Sequence, residues 1–173
     1  MRIQPIVFFL SLAVLMVAPN PLLWADPPAD PDIEKFRKLP EDVQIIFEKA
    51  EQLELFSLEP MASKEKNSFH GYKTLGKTVV KDADVRKKIV AAVKRGVAES
   101  DGVAGCFHPR HGLRATHDDK TVDLVICFEC LSIQVFVGDK AVTFVWTTGS
   151  PQKVLDKVLR DAKIPLAAKP KQD

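Results

Sequence analysis

The sequence predicts an α+β fold, a mainly antiparallel sheet with helices packed on one face. Three observations carry that expectation. Helical-period segments lie near residues 40 and 82, with strand-like runs between them. From Val103 onward the apolar period changes to two, and short turns rich in Gly and Asp separate the runs. A last helical stripe then follows the strands. The order is therefore helix, strand, strand, helix, a meander of strands, and helix.

Each element has a local reason. Ile33 to Leu39 predicts a short helical turn. Pro40 suits the first position of a helix running to about Leu53, with Val43, Ile46, Phe47, Ala50 and Leu53 on one face. Leu55 to Leu58 reads as a short strand ended by Glu59-Pro60, and residues 61–68 as a polar loop. Tyr72 to Val80 reads as a second strand. Asp82 is placed to cap the next helix, because its carboxylate accepts the unpaired N–H groups of the first turn. Val85, Ile89, Val93 and Val97 form that helix's buried stripe, and Gly96 and Asp101-Gly102 mark its end. The meander reads as Val103–Phe107, Leu113–His117, Thr121–Ile126, Leu131–Val137 and Ala141–Thr147. Asp118-Asp119-Lys120 and Gly138-Asp139-Lys140 are its turns. Ser150-Pro151 forms a cap and first-position pair for the last helix, whose face is Val154, Leu155, Val158, Leu159 and Ala162. Pro165 stops it.

The ends and totals bound the class. Arg2 is the only charge before Asp26, and Ile6 to Ala18 is apolar except for Ser11. Pro19-Asn20-Pro21 breaks any helix, and Leu23-Trp24-Ala25 offers a small residue for cleavage. Residues 1–25 therefore read as a cleavable signal peptide, giving a periplasmic or extracellular protein. The apolar core is shorter than the roughly 20 residues of a membrane span, and no second stretch reaches that length. Residues 26–32 are a stiff, polar linker, 33–165 a single domain, and 166–173 a disordered tail. Without Arg2 the chain carries 24 basic and 23 acidic residues, interspersed. That balance gives no reason to expect nucleic acid or an anionic membrane surface as partner.

All three Cys and three of the four His fall between residues 106 and 130. Val122, Leu124 and Ile126 are even-numbered, whereas Leu131, Ile133, Val135 and Val137 are odd-numbered. A regular strand cannot change parity, so the chain must bulge or turn between Cys127 and Cys130. A turn there brings both sulfurs toward one side. Three readings compete. In the first, Cys127 and Cys130 supply two thiolates to a metal, most naturally Zn²⁺, with Cys106 and His108 or His111 completing a tetrahedral site. In the second, a structural disulfide joins Cys127 to Cys130, or Cys106 to one of them. In the third, Cys127 and Cys130 perform thiol–disulfide redox chemistry. The helix start that usually lowers the thiol pKa is missing there.

Arg110-His111-Gly112-Leu113-Arg114 resembles the Arg-His-Gly-x-Arg motif of histidine phosphatases, in which the His takes the phosphoryl group. The second catalytic His of that family has no counterpart, since no His follows His117. As single residues, His70 before Gly71 reads as a turn residue, and His117 as solvated. Arg110 and Arg114 read as surface or ion-pair residues, and Trp146 as core or sheet surface. A broader resemblance rests on Phe69-His70-Gly71-Tyr72 with Leu75-Gly76, Cys106-Phe107-His108-Pro109-Arg110-His111-Gly112, and Val125-Ile126-Cys127-Phe128-Glu129-Cys130. Over roughly residues 50–162 the chain resembles a set of small uncharacterised bacterial proteins. That resemblance implies a single unit of bacterial origin and brings no activity and no assigned site. The expected protein is an exported binding or structural module with a metal or disulfide centre. The alternative is a thiol redox protein using Cys127 and Cys130.

Overall fold

The structure, a computed structural model, describes residues 31–168. The expected signal peptide, most of the linker and the end of the tail lie outside the described residues. Among the described residues there are four helices and seven strands. The order is α1 (Pro31–Glu34), α2 (Glu41–Lys49), β1 (Gln52–Ala62), β2 (Ser68–Phe69), β3 (Tyr72–Val79) and α3 (Ala83–Ala98). Then come β4 (His111–His117), β5 (Lys120–Cys127), β6 (Ser132–Val137), β7 (Lys140–Trp146) and α4 (Gln152–Asp161). The strands form one sheet in the order β2-β3-β1-β4-β5-β6-β7, and every neighbouring pair is antiparallel. The chain is thus mixed α+β with a mainly antiparallel sheet, as the period change predicts. No helix among the described residues is long and apolar enough to cross a membrane.

The main core joins helices to alternate strand residues. Val43, Ile46 and Phe47 of α2, Ile89, Val93 and Val97 of α3, and Leu155 and Leu159 of α4 belong to one buried cluster. Leu53 and Leu55 of β1, Leu113 and Ala115 of β4, Val122, Leu124 and Ile126 of β5, and Ile133 and Val135 of β6 join them. A second, smaller cluster uses the opposite parity: Phe56, Leu58, Phe69, Val125 and Phe136. Alternation along a pleated strand sends these residues to the other side of the sheet.

Several expected boundaries hold and several move. Asp82 caps α3, accepting the N–H groups of Asp84 (2.8 Å) and Val85 (2.9 Å). Asp118 and Asp119 both have positive φ, the two-residue hairpin conformation that matches strand twist. The parity change after β5 is resolved by a turn at residues 128–131, with Leu131 at φ +53° and Cys127 paired with Ser132. Helix α2 stops at Lys49, and Leu53 is a strand residue in the core. Residues 103–107 are not a strand. This segment makes one backbone bond to the neighbouring turn, Ala104 N–H to Cys130 O (3.0 Å), and Gly102 and Gly105 weaken any extended run. No side chain caps α4; the Ser150 hydroxyl meets Thr148 instead. Past α4, Ile164 and Leu166 pack against the main core, and Ala168 O accepts from Arg110 Nε (3.2 Å).

Candidate functional site

The β5–β6 turn and the segment before β4 build the sulfur centre. Residues 103–110 pass over the turn, and Cys106 forms a disulfide with Cys130, their Cα atoms 5.6 Å apart. The link closes 24 positions of sequence. Cys127 stays a free, buried thiol. Its sulfur accepts the backbone N–H of Cys130 (3.1 Å) and of His108 (3.4 Å). Burial pushes the Cys127 thiol pKa up, and the surrounding N–H groups of His108, Cys130 and Glu129 only partly offset it.

Of the five residues expected as metal ligands, three come together. The ligand atoms of Cys106, His108 and Cys130 lie within 4.8 Å of one another. Cys127 stands beside them but outside that group. His111 does not join them, for a reason of sheet geometry. It pairs with Ile126, so its side chain shares the face of Ile126 and opposes that of Cys127. There it is 2 % exposed, and Nε2 meets Asp156 of α4 at 2.8 Å. The same alternation bears on the phosphatase-like motif. Arg114 is three residues along β4 from His111, on the opposite face, so the two cannot converge on one phosphoryl group.

Residue-by-residue reading missed a second centre. Asp123 on β5, 1 % exposed, receives a fork of two hydrogen bonds from Arg114 on β4: Nε to Oδ1 at 2.8 Å and Nη2 to Oδ2 at 2.6 Å. His70 Nε2 reaches Oδ2 at 2.6 Å. Cross-strand pairing sets the first contact, since Arg114 stands opposite Asp123. The second comes from the β2–β3 hairpin, whose turn residues His70 and Gly71 have φ +50° and +84°. The imidazole lies flat on Phe136, with centroids 3.7 Å apart, and edge-on to Phe69. Phe69 stacks on Phe56, and Arg114 lies 5.3 Å above the Phe69 ring. Gly112 leaves room for Phe69, because a Cβ there would come within 2.7 Å of the ring.

Burial alone pushes the Asp123 carboxyl up, but the hydrogen bonds from Arg114 and His70 outweigh it and hold the pKa below the ordinary value. A cleft of about 480 Å³ opens beside this centre, lined by Phe56, Phe69, His70, Lys77 and Arg114 among others. Among the described residues, no acceptor meets Arg114 Nη1. The sequence signal that was available is Asp123 itself, a charge inside the apolar run Val122–Ile126. A charge there is costly to bury unless it is paired.

The other sequence-marked residues have structural partners. His117 Nδ1 pairs with Glu51 at 2.6 Å, and Arg110 Nη1 with Glu129 at 2.7 Å. Trp146 stacks on Phe36, which also stacks on Phe144. Compared with known proteins, the chain matches no family model, no curated protein and no solved structure.

Proposed function

We propose that this chain is an exported bacterial binding or structural module, stapled by the Cys106–Cys130 disulfide and resident in the periplasm or outside the cell. The disulfide is the observation that carries the reading. Disulfides persist in oxidising compartments, and residues 1–25 have the charge and hydropathy pattern of a cleavable signal. A single buried cluster containing α2, α3, α4 and one parity of strand residues supports helices covering one face of the sheet. The opposite face then carries the binding surface. Its cleft offers the Arg114 Nη1 donor and the aromatic rings of Phe56 and Phe69 to a ligand with acceptor atoms.

The redox alternative has less support. It needs Cys127 to bond Cys130, whereas Cys130 is joined to Cys106 and Cys127 is a buried, high-pKa thiol. Expression of the full chain in a bacterial host tests the proposal. The account expects the mature protein in the periplasm or medium, with its N-terminus at Asp26. It expects no thiol that labels in the native state and one that labels after unfolding without reductant. Retention in the cytoplasm with three labelled thiols would overturn it.

A further inference from the structure

The charges that read as interspersed along the sequence are gathered by the fold. Helix α3 carries five basic residues, Arg86, Lys87, Lys88, Lys94 and Arg95, and one acid, Asp84. One face of this helix lines a cleft of about 440 Å³ between α2 and α3. Along that face Ala83, Arg86, Lys87, Val90, Ala91 and Lys94 recur at helical spacing over about 16 Å. The cleft exists because small residues meet there. Ala83 and Ala91 offer only methyl groups, and α2 stops at Lys49, so that Ala50 carries the chain away toward β1. What remains is an apolar floor. Phe47 and Leu53 belong to the main core, and Val90 packs against it.

A cleft of this size has the volume of a small-molecule site. Its rim is basic. Among the described residues Glu48 is the one acid in the lining, and it pairs with Lys94. Arg86 bonds only neutral carbonyl oxygens, those of Val80 (3.3 Å) and Lys81 (2.6 Å). Lys87 forms no ion pair with a described residue. Asp82 adds a negative charge near Arg86, but its carboxylate already accepts the N–H groups of Asp84 and Val85. Two positive charges therefore stand unmatched within the lining, both at the Ala83 end of an apolar trough.

An acyl chain laid in the trough takes apolar carbon out of water. A carboxylate at the end of that chain meets the guanidinium and the ammonium, and its hydrogen bonds there are charge-assisted. A cationic head gains nothing at that end. We propose that the α2–α3 cleft binds a single-chain anionic amphiphile, a fatty acid, with its chain along Val90 and Ala91 and its carboxylate at Arg86 and Lys87. The site shares no lining residue with the Arg114 cleft, and the inference does not rest on the reading of that cleft.

The test is calorimetric titration of the mature protein with dodecanoate below its micelle concentration, with backbone amide NMR to locate the ligand. One equivalent is expected to bind, and the amides of Phe47, Ala50, Val90 and Ala91 should shift while that of Arg114 does not. Decanoate should bind about tenfold more weakly, since two methylenes leave the trough. Dodecyltrimethylammonium, with the same chain and the opposite charge, should bind more weakly than dodecanoate. Lys87→Glu should weaken dodecanoate about fivefold, whereas Lys153→Glu on the exposed side of α4 should leave it unchanged. Ala91→Leu fills the trough from an exposed helical position and should weaken binding at least about tenfold. Thermal unfolding of each variant checks that it is folded, and the chain-length and head-group series on the parent needs no variant. No saturable binding of dodecanoate, equal affinity for the two head groups, or amide shifts centred elsewhere would overturn the site. Recruitment to phosphatidylglycerol vesicles without binding of monomeric dodecanoate would also overturn it, and would assign the basic face of α3 to a membrane surface.

Discussion

The sulfur centre and the Asp123 centre stand on the same face of β5, since Asp123, Val125 and Cys127 alternate with Leu124 and Ile126. They are held in different ways. A covalent bond between Cys106 and Cys130 fixes one. Opposite charges fix the other, with the Phe136 ring stacked on His70 and the Phe69 ring beneath Arg114. A covalent staple acts largely on the unfolded chain by shortening its free loop. A buried ion pair acts in the folded state and depends on every partner staying in place, because a lone buried charge is costly. The first centre is therefore sensitive to reductant and the second to acid. That difference can be broken from either side.

The largest effect is expected from Asp123→Ala. It leaves the Arg114 and His70 donors without their acceptor, and the loss should be about 3 to 5 kcal/mol in chemical unfolding. Cys106→Ser should cost about 2 to 4 kcal/mol, given a closed loop of some 25 residues, and the loss should match that seen on reducing the parent protein. A Cys106→Ser variant insensitive to reductant would confirm that the staple is the only reducible link among the described residues. Gly112→Ala is expected to cost about 1 to 3 kcal/mol, because its Cβ meets the Phe69 ring that seats His70. An unchanged unfolding midpoint would show that the aromatic wall yields easily.

The smallest effect is in the acid limb of stability. The Asp123 carboxyl is held below its ordinary value of 3.8 against the pull of burial by Arg114 and His70, and that of Asp156 by its bond to His111. The unfolded chain binds protons on these groups first as pH falls. Their contribution is thus fully present above about pH 4 and is lost as pH drops through the lower folded values. Denaturation measured between about pH 2 and 5 should show this slope, and Asp123→Asn should flatten it without changing the reductant response.

The contrast also explains what the sequence made legible. The sulfur centre announces itself by spacing and by a parity change, because both are local and the chain must bulge or turn to satisfy them. The Asp82 cap and the Asp118-Asp119 turn were legible for the same reason. The Asp123 centre depends on His70, 53 positions away, and on a hairpin that delivers it. Until the order β2-β3-β1-β4-β5 is known, nothing brings His70 to β5. The start of β1 was misread because residues 53–58 are buried on both faces. Such a run has no period of two and passes for a helix end. Val103–Phe107 has strand-like residues, but its position is set by the disulfide and one backbone bond.

The central claim is the connectivity of the three sulfurs. Proteolysis of the unreduced mature protein, with free thiols blocked under denaturing conditions, followed by mass spectrometry of the linked peptides, tests it directly. The account predicts one cross-link joining the peptides of Cys106 and Cys130, with Cys127 carrying the blocking group. A bond between Cys127 and Cys130, with Cys106 blocked, would contradict it and return the chain to the redox reading.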